Sequence, residues 1–105
     1  MKKTFASITV VTLLLLAAVP VFAADGAALF KAKCAMCHGA DGKGETAMGK
    51  NLKLRDLGSA DVQKQTDADL KKVIEDGKGK MPPSKAKLAA GDADALVAFI
   101  RSLKK

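Results

Sequence analysis

Tryptophan and tyrosine are missing from this 105-residue sequence, and phenylalanine occurs only four times. Phe5 and Phe22 belong to an amino-terminal leader, which leaves Phe30 and Phe99 as the aromatic side chains of a folded core. A single domain of this size sits at the low end of self-sufficient folds, so something other than aromatic rings must fill its centre. The shortage also removes base-stacking platforms, and no recognition motif accompanies the lysines, which argues against a nucleic-acid partner. Internal repeats and low-complexity linkers are absent too, and residues 24–105 read as one domain.

The leader carries Lys2 and Lys3, an apolar run from Ile8 to Ala18, then Pro20 and the small-residue site Val21-Phe22-Ala23. This is the layout of a secretory signal peptide over residues 1–23, with cleavage after Ala23 and Ala24 as the alternative. The competing reading is an uncleaved anchor, since Phe5 to Ala24 just meets the ~20 residues of a spanning helix. The short central run and the cleavage site favour removal, and the expected destination is export to the periplasm. Lys2 and Lys3 account for two of the formal charges in the net +7, so the chain from Ala24 keeps +5. An acidic protein surface or anionic lipid headgroups are the partners that such a charge suits in that compartment.

Three segments have helical patterning. The first runs from Gly26 to Cys37, with Phe30 reaching Cys34 at i+4, and should end at the Gly39-Ala40-Asp41-Gly42 turn. The stretch to Arg55 is rich in Gly and Lys and reads as loop, with Leu52, Leu54 and Leu57 available to point inward. Ser59 is placed to cap a short helical piece over Ala60 to Lys64. Thr66 with Asp69 three residues on opens a second clear helix, which presents Leu70, Val73 and Ile74 and stops at Gly77. The last helix spans Asp92 to Leu103, with Ala93, Leu96, Val97 and Ile100 on one face, acids at its start and bases at its end. Between these two lies Gly77-Lys78-Gly79-Lys80-Met81-Pro82-Pro83, where the prolines and glycines enforce an extended, non-helical path.

Both cysteines and the sole histidine fall within Cys34-Ala35-Met36-Cys37-His38, the C-x-x-C-H attachment signature of c-type haem. On a helical turn Cys34 meets Cys37 at i+3 and His38 at i+4. Two thiols can then add to the haem vinyl groups while the imidazole ligates iron from the same side. A disulfide or dithiol redox pair is the first competitor, but no βαβ pattern surrounds it and it leaves the histidine unexplained. A closed zinc site needs four ligands where three are present, and an inert cysteine pair is the last alternative.

The mature chain resembles the class I c-type cytochromes along essentially its whole length. Gly26, Phe30, Cys34, Cys37 and His38 follow the amino-terminal spacing of that family, and Leu96 and Phe99 match the paired positions of its last helix. The resemblance implies an all-α single domain in which the first and last helices cross, with Gly26 at the contact, around one covalent haem c. It implies thioether attachment at Cys34 and Cys37, and His38 and Met81 as the axial iron ligands. From the residues alone, Met48 and Met81 both remain able to reach the second axial position, while Met36 is confined to the attachment turn. Pro82 and Pro83 favour Met81 by fixing the path of its loop. Many family members carry a proline whose carbonyl accepts the imidazole N–H. Here that region reads Gly49-Lys50-Asn51-Leu52, and a neighbouring carbonyl is expected to serve. Asn51 and Arg55 are the candidates for binding the haem propionates.

A haem iron with two protein ligands has no vacant axial site, which implies a single-electron carrier and no enzymatic reaction. Lys31, Lys33, Lys43 and Lys50 beside the attachment turn, with Lys78, Lys80, Lys85 and Lys87 beside the methionine loop, form a basic surface suited to an acidic redox partner. The expectation is a monomer. The alternatives are a haem enzyme or gas sensor whose sixth position opens, and an immobile redox subunit of a membrane complex.

Overall fold

Asp25 caps the first helix, its carboxylate accepting from the N–H of Ala27 at 3.0 Å and of Ala28 at 3.4 Å. The computed structural model describes residues 25–105, so the signal-peptide assignment and its cleavage site lie outside the described residues. Helix α1 covers Gly26–Lys33 and α2 covers Ala35–His38. The single helix expected over Gly26 to Cys37 is therefore interrupted. At Cys34 φ widens to −119° within the right-handed region, and its carbonyl accepts from both the Cys37 N–H at 3.3 Å and the His38 N–H at 3.0 Å, tightening the next turn. The turn at Gly39 ends this segment where the sequence places its end.

A short helix, α3 (Ala47–Leu52), lies inside the stretch read as loop. Thr46 starts it by accepting from the Gly49 N–H at 2.8 Å, a capping contact strong enough to organise a glycine-rich segment. Helix α4 (Ala60–Gln63) follows Ser59 as expected, yet the Ser59 side chain makes no capping bond and its hydroxyl is buried without a partner. Helix α5 (Asp67–Asp76) begins with Thr66 accepting from the Asp69 N–H at 3.1 Å and stops before Gly77. A 3₁₀ turn at Lys85–Lys87 precedes the last helix, α6 (Asp92–Ser102). No strand is present among the described residues. The only extended pairing there is an isolated bridge between Lys78 and Met81.

The core is built where α1, α5 and α6 meet. Phe30 and Leu96 are 2% and 1% exposed, and Leu70, Ile74, Val97 and Ile100 complete the buried cluster with Val62 and Ala93. Phe99 packs its ring on Phe30, with centroids 4.8 Å apart. α1 packs chiefly on α6, and a β-carbon on Gly26 would overlap the Ala95 carbonyl oxygen. The close approach of first and last helices that the family resemblance implies is thus present. Arg101 ties α6 to the α4–α5 junction by donating to Asp67 and to the Gln63 and Gln65 carbonyls.

Candidate haem-binding site

The segment after α5 folds back instead of running extended. Lys78 N–H donates to the Met81 carbonyl at 3.1 Å, and Met81 N–H donates to the Lys78 carbonyl at 3.0 Å. Gly79 and Lys80 form the two-residue turn between them. Gly79 has φ +57° while Lys80 keeps an ordinary negative φ, the pattern of a hairpin turn with glycine in its first central position. The departure from an extended path comes from Gly79, whose left-handed backbone allows the reversal that the following prolines alone would not make.

This hairpin brings Met81 to the attachment turn. Cys34, His38 and Met81 line a cavity of about 310 Å³ and also an adjoining one of about 320 Å³. The two share Leu54 and Lys78 as well, and they are two lobes of one cleft. Cys37 lines the second lobe, with Leu52, Pro82 and Lys80. Phe30, Leu57, Leu70, Ile74 and Leu96 give the first lobe an apolar wall. Met36 and Met48 are 81% and 46% exposed and line neither lobe. Met81 is therefore the one methionine of the described residues that faces the cleft.

Both thiols are free. Burial pushes the Cys34 thiol above its ordinary pKa; the Lys33 charge opposes this and Cys37 adds to it. Burial lowers the His38 pKa, so the imidazole is neutral at neutral pH and can offer a lone pair. Its Nδ1 is buried with no hydrogen-bond partner. The backbone acceptor expected from the Gly49–Leu52 region is not supplied. The carbonyls of Gly49 and Lys50 instead accept from the Lys53 N–H, and that of Gly49 also from the Leu54 N–H, because α3 and its cap use them internally. Asn51 lines neither lobe, whereas Arg55 lines the first.

Three participants escape notice in the sequence. Thr46 donates its hydroxyl to the Cys37 carbonyl at 2.6 Å while accepting from Gly49, so one side chain joins the attachment turn to α3. A threonine three residues before a mid-helix position is a readable cap signal, hidden here by the surrounding glycines. Lys53 and Gln65 also line the first lobe, and nothing local to the sequence marks them. An apolar cleft with two free thiols, a neutral imidazole and a thioether on its walls fits a haem, because soft sulfur and imidazole are the donors haem iron takes.

Known proteins agree with this fold. A family model described as cytochrome c oxidase, cbb3-type, subunit III matches residues 22–100. Among solved structures, the chain is similar to the KustC0563 c-type cytochrome, with 36% identity and a TM-score of 0.71 over 77% of this chain and 99% of that one. It is likewise similar to a tyrosine-to-phenylalanine mutant of that protein, at 36% identity and a TM-score of 0.67, covering 76% of this chain and 99% of the other. No curated protein matches. The chain belongs to the class I c-type cytochromes. It is a haem-containing electron carrier, and proteins of this class are in general exported. No helix among the described residues is long and apolar enough to cross a membrane.

Proposed function

We propose that the mature chain is a soluble periplasmic shuttle that carries one electron at a time on a single haem c, joined through Cys34 and Cys37 and ligated by His38 and Met81. The observation that carries this reading is the convergence of these four side chains, from α2 with its preceding residue and from the hairpin, on one apolar cleft. Haem supplies the one-electron iron couple. The protein supplies everything that makes the couple useful: fixed ligands, an apolar wall that excludes water, and a thioether that favours the reduced state. With His38 and Met81 both committed, no axial position is left for a substrate, so the reading is a carrier and not an enzyme.

Exposed lysines ring the cleft, among them Lys33, Lys53, Lys78 and Lys80, and no Asp or Glu lines either lobe. This supports docking of a monomer onto an acidic redox protein, with rates that fall as salt rises. The test is acid and organic extraction of protein matured in a haem-attaching host. The haem should stay with the polypeptide, and the mass should exceed that of residues 24–105 by one haem. Extractable haem, or thiols open to alkylation, would overturn the attachment.

The description of the matching family model favours a second reading, a redox subunit held in a membrane oxidase. Amino-terminal sequencing of the mature protein separates the two. A start at Ala24 or Asp25 supports the shuttle, and a retained leader supports the anchored subunit.

A further inference from the structure

The four backbone polar groups of the two peptide units flanking His38 all have partners. The His38 N–H donates to the Cys34 carbonyl at 3.0 Å and the Gly39 N–H to the Ala35 carbonyl at 2.8 Å, both within the attachment turn. The His38 carbonyl accepts from the Gly44 N–H at 2.7 Å. The fourth group, the Cys37 carbonyl, stands at the end of α2, where a helix has no backbone donor left to offer. It accepts instead from the Thr46 hydroxyl at 2.6 Å, the one side-chain bond of the four. The peptide planes that meet at the His38 α-carbon are thus fixed from two sides, by the attachment turn and by the segment from Gly44 to Thr46.

The imidazole itself has no such support. Its Nδ1 is buried without a hydrogen-bond partner, and its aromatic neighbour Phe30 lies tilted to it with centroids 6.1 Å apart. A ligating histidine is normally held through its second nitrogen. Without that hold, the direction of the Cα–Cβ bond sets where the ring points, so the grip on the backbone decides its orientation. Thr46 also does more than a helix start requires. An N-cap needs only an acceptor, here for the Gly49 N–H at 2.8 Å. The hydroxyl proton is left over for any other acceptor, and in this protein it goes to the Cys37 carbonyl. Gly49 is buried against the same oxygen, and a β-carbon there would overlap the carbonyls of both Cys37 and Gly44. Loop, helix start and attachment turn meet at this one carbonyl.

We infer that Thr46 is a positioning residue for the axial ligand: its hydroxyl, by holding the Cys37 carbonyl, fixes the plane in which the His38 imidazole meets the haem. The inference rests on the haem reading of the cleft given above. Thr46 lines neither lobe and acts only through the peptide that precedes His38. Its methyl group lies beside Gly39, so a serine in its place keeps the hydroxyl and gives up that contact alone.

The experiment compares Thr46→Ser, Thr46→Asp and Thr46→Val in the haem-loaded protein. Serine keeps both donor and cap, aspartate keeps the cap but has no proton to donate at neutral pH, and valine keeps the shape with neither function. Two readouts follow the ring. The paramagnetic shifts of the four haem methyl groups in the ferric protein depend on the orientation of the axial ligand planes. Deuterium exchange at His38 Nδ1–H in the ferrous protein reports how often the ligand turn opens. Urea unfolding reads the cap separately. Thr46→Ser should match wild type in all three measurements. Thr46→Asp and Thr46→Val should both change the pattern of methyl shifts and exchange about tenfold faster, the scale of one lost hydrogen bond. In urea, Thr46→Asp should unfold close to wild type and Thr46→Val earlier.

Wild-type methyl shifts and exchange in Thr46→Asp would overturn the inference and leave Thr46 as a helix cap alone. A Thr46→Ser protein that behaves like Thr46→Val would overturn it as well, assigning the effect to the methyl group beside Gly39. If Thr46→Val does not retain haem, Thr46→Asp decides the question by itself. None of these results touches the haem reading, which fails instead if acid and organic solvent extract the haem from wild type.

Discussion

The α-carbon of Gly26 faces the carbonyl oxygen of Ala95 with no room between α1 and α6 for a side chain. Phe99 stands beside the same contact and stacks on Phe30, so this point sets the angle at which the first and last helices meet. Backbone atoms cannot rotate away as a side chain can. Gly26→Ala should already strain the contact, and Gly26→Leu should cost on the order of 1–3 kcal/mol. At roughly 4–8 °C per kcal/mol for a domain of this size, thermal unfolding of the haem-loaded protein reads the effect. An unchanged midpoint for Gly26→Leu would show that α1 is free to move.

Arg101 holds the α4–α5 junction through a fork that lysine cannot reproduce. Its Nε donates to Asp67 at 2.8 Å and one terminal nitrogen donates to the Gln63 carbonyl at 2.8 Å, while the other reaches the Gln65 carbonyl. Arg101→Lys preserves the charge but loses the fork. Both Arg101→Lys and Arg101→Gln should therefore destabilise by about 1–3 kcal/mol, the cost of leaving partly buried carbonyls unanswered. If Arg101→Lys unfolds like wild type in urea, the charge alone matters.

The carboxyl-terminal residue closes on the loop before α4. Lys105 Nζ lies 2.6 Å from Asp56 Oδ2, and Asp56 Oδ1 also accepts from the Gly58 N–H at 2.8 Å. The Lys105 hydrogen bond, followed by that from Gly58, holds the Asp56 pKa below its ordinary 3.8. A carboxylate with a depressed folded pKa stabilises above the unfolded value and loses that contribution as pH falls through the folded one. Both partners are at the surface, so the effect is small and salt-sensitive. Melting midpoints of wild type and Asp56→Asn should differ slightly at neutral pH and converge in acid. A difference that persists or grows in acid would contradict the assignment.

How much of this was legible in the sequence depended on whether the signal was local. Thr66, Gly77 and the apolar face of Leu96, Val97 and Ile100 mark α5 and α6 because caps and periodicity act within a few residues. The attachment turn was legible for the same reason, since Cys34, Cys37 and His38 are neighbours in the chain. Helix α3 was missed because four glycines between Gly39 and Gly49 outweighed one capping threonine. The cation lining of the cleft was not readable at all beyond Arg55. Lys53 and Lys78 are far apart in sequence, and only the hairpin turn at Gly79 and the left-handed residue closing α3 bring them to one cavity.

Met81 faces both lobes of the cleft while Met48 is exposed on α3 and faces neither, so exchange of the two residues separates ligand from bystander. The oxidised wild type should show the weak near-infrared band of thioether–iron(III) ligation, and its ferrous form should bind carbon monoxide poorly. Met81→Ala should abolish the band and admit carbon monoxide. It should also lower the reduction potential, because water or a lysine such as Lys80 in place of sulfur no longer favours iron(II). A shift on the order of a tenth or more of the roughly 0.8 V span set by axial ligation is expected. Met48→Ala should leave band, potential and carbon monoxide binding as they are. If Met48→Ala removes the band and Met81→Ala does not, the hairpin has a structural role only, and the cleft must open to receive a ligand from α3.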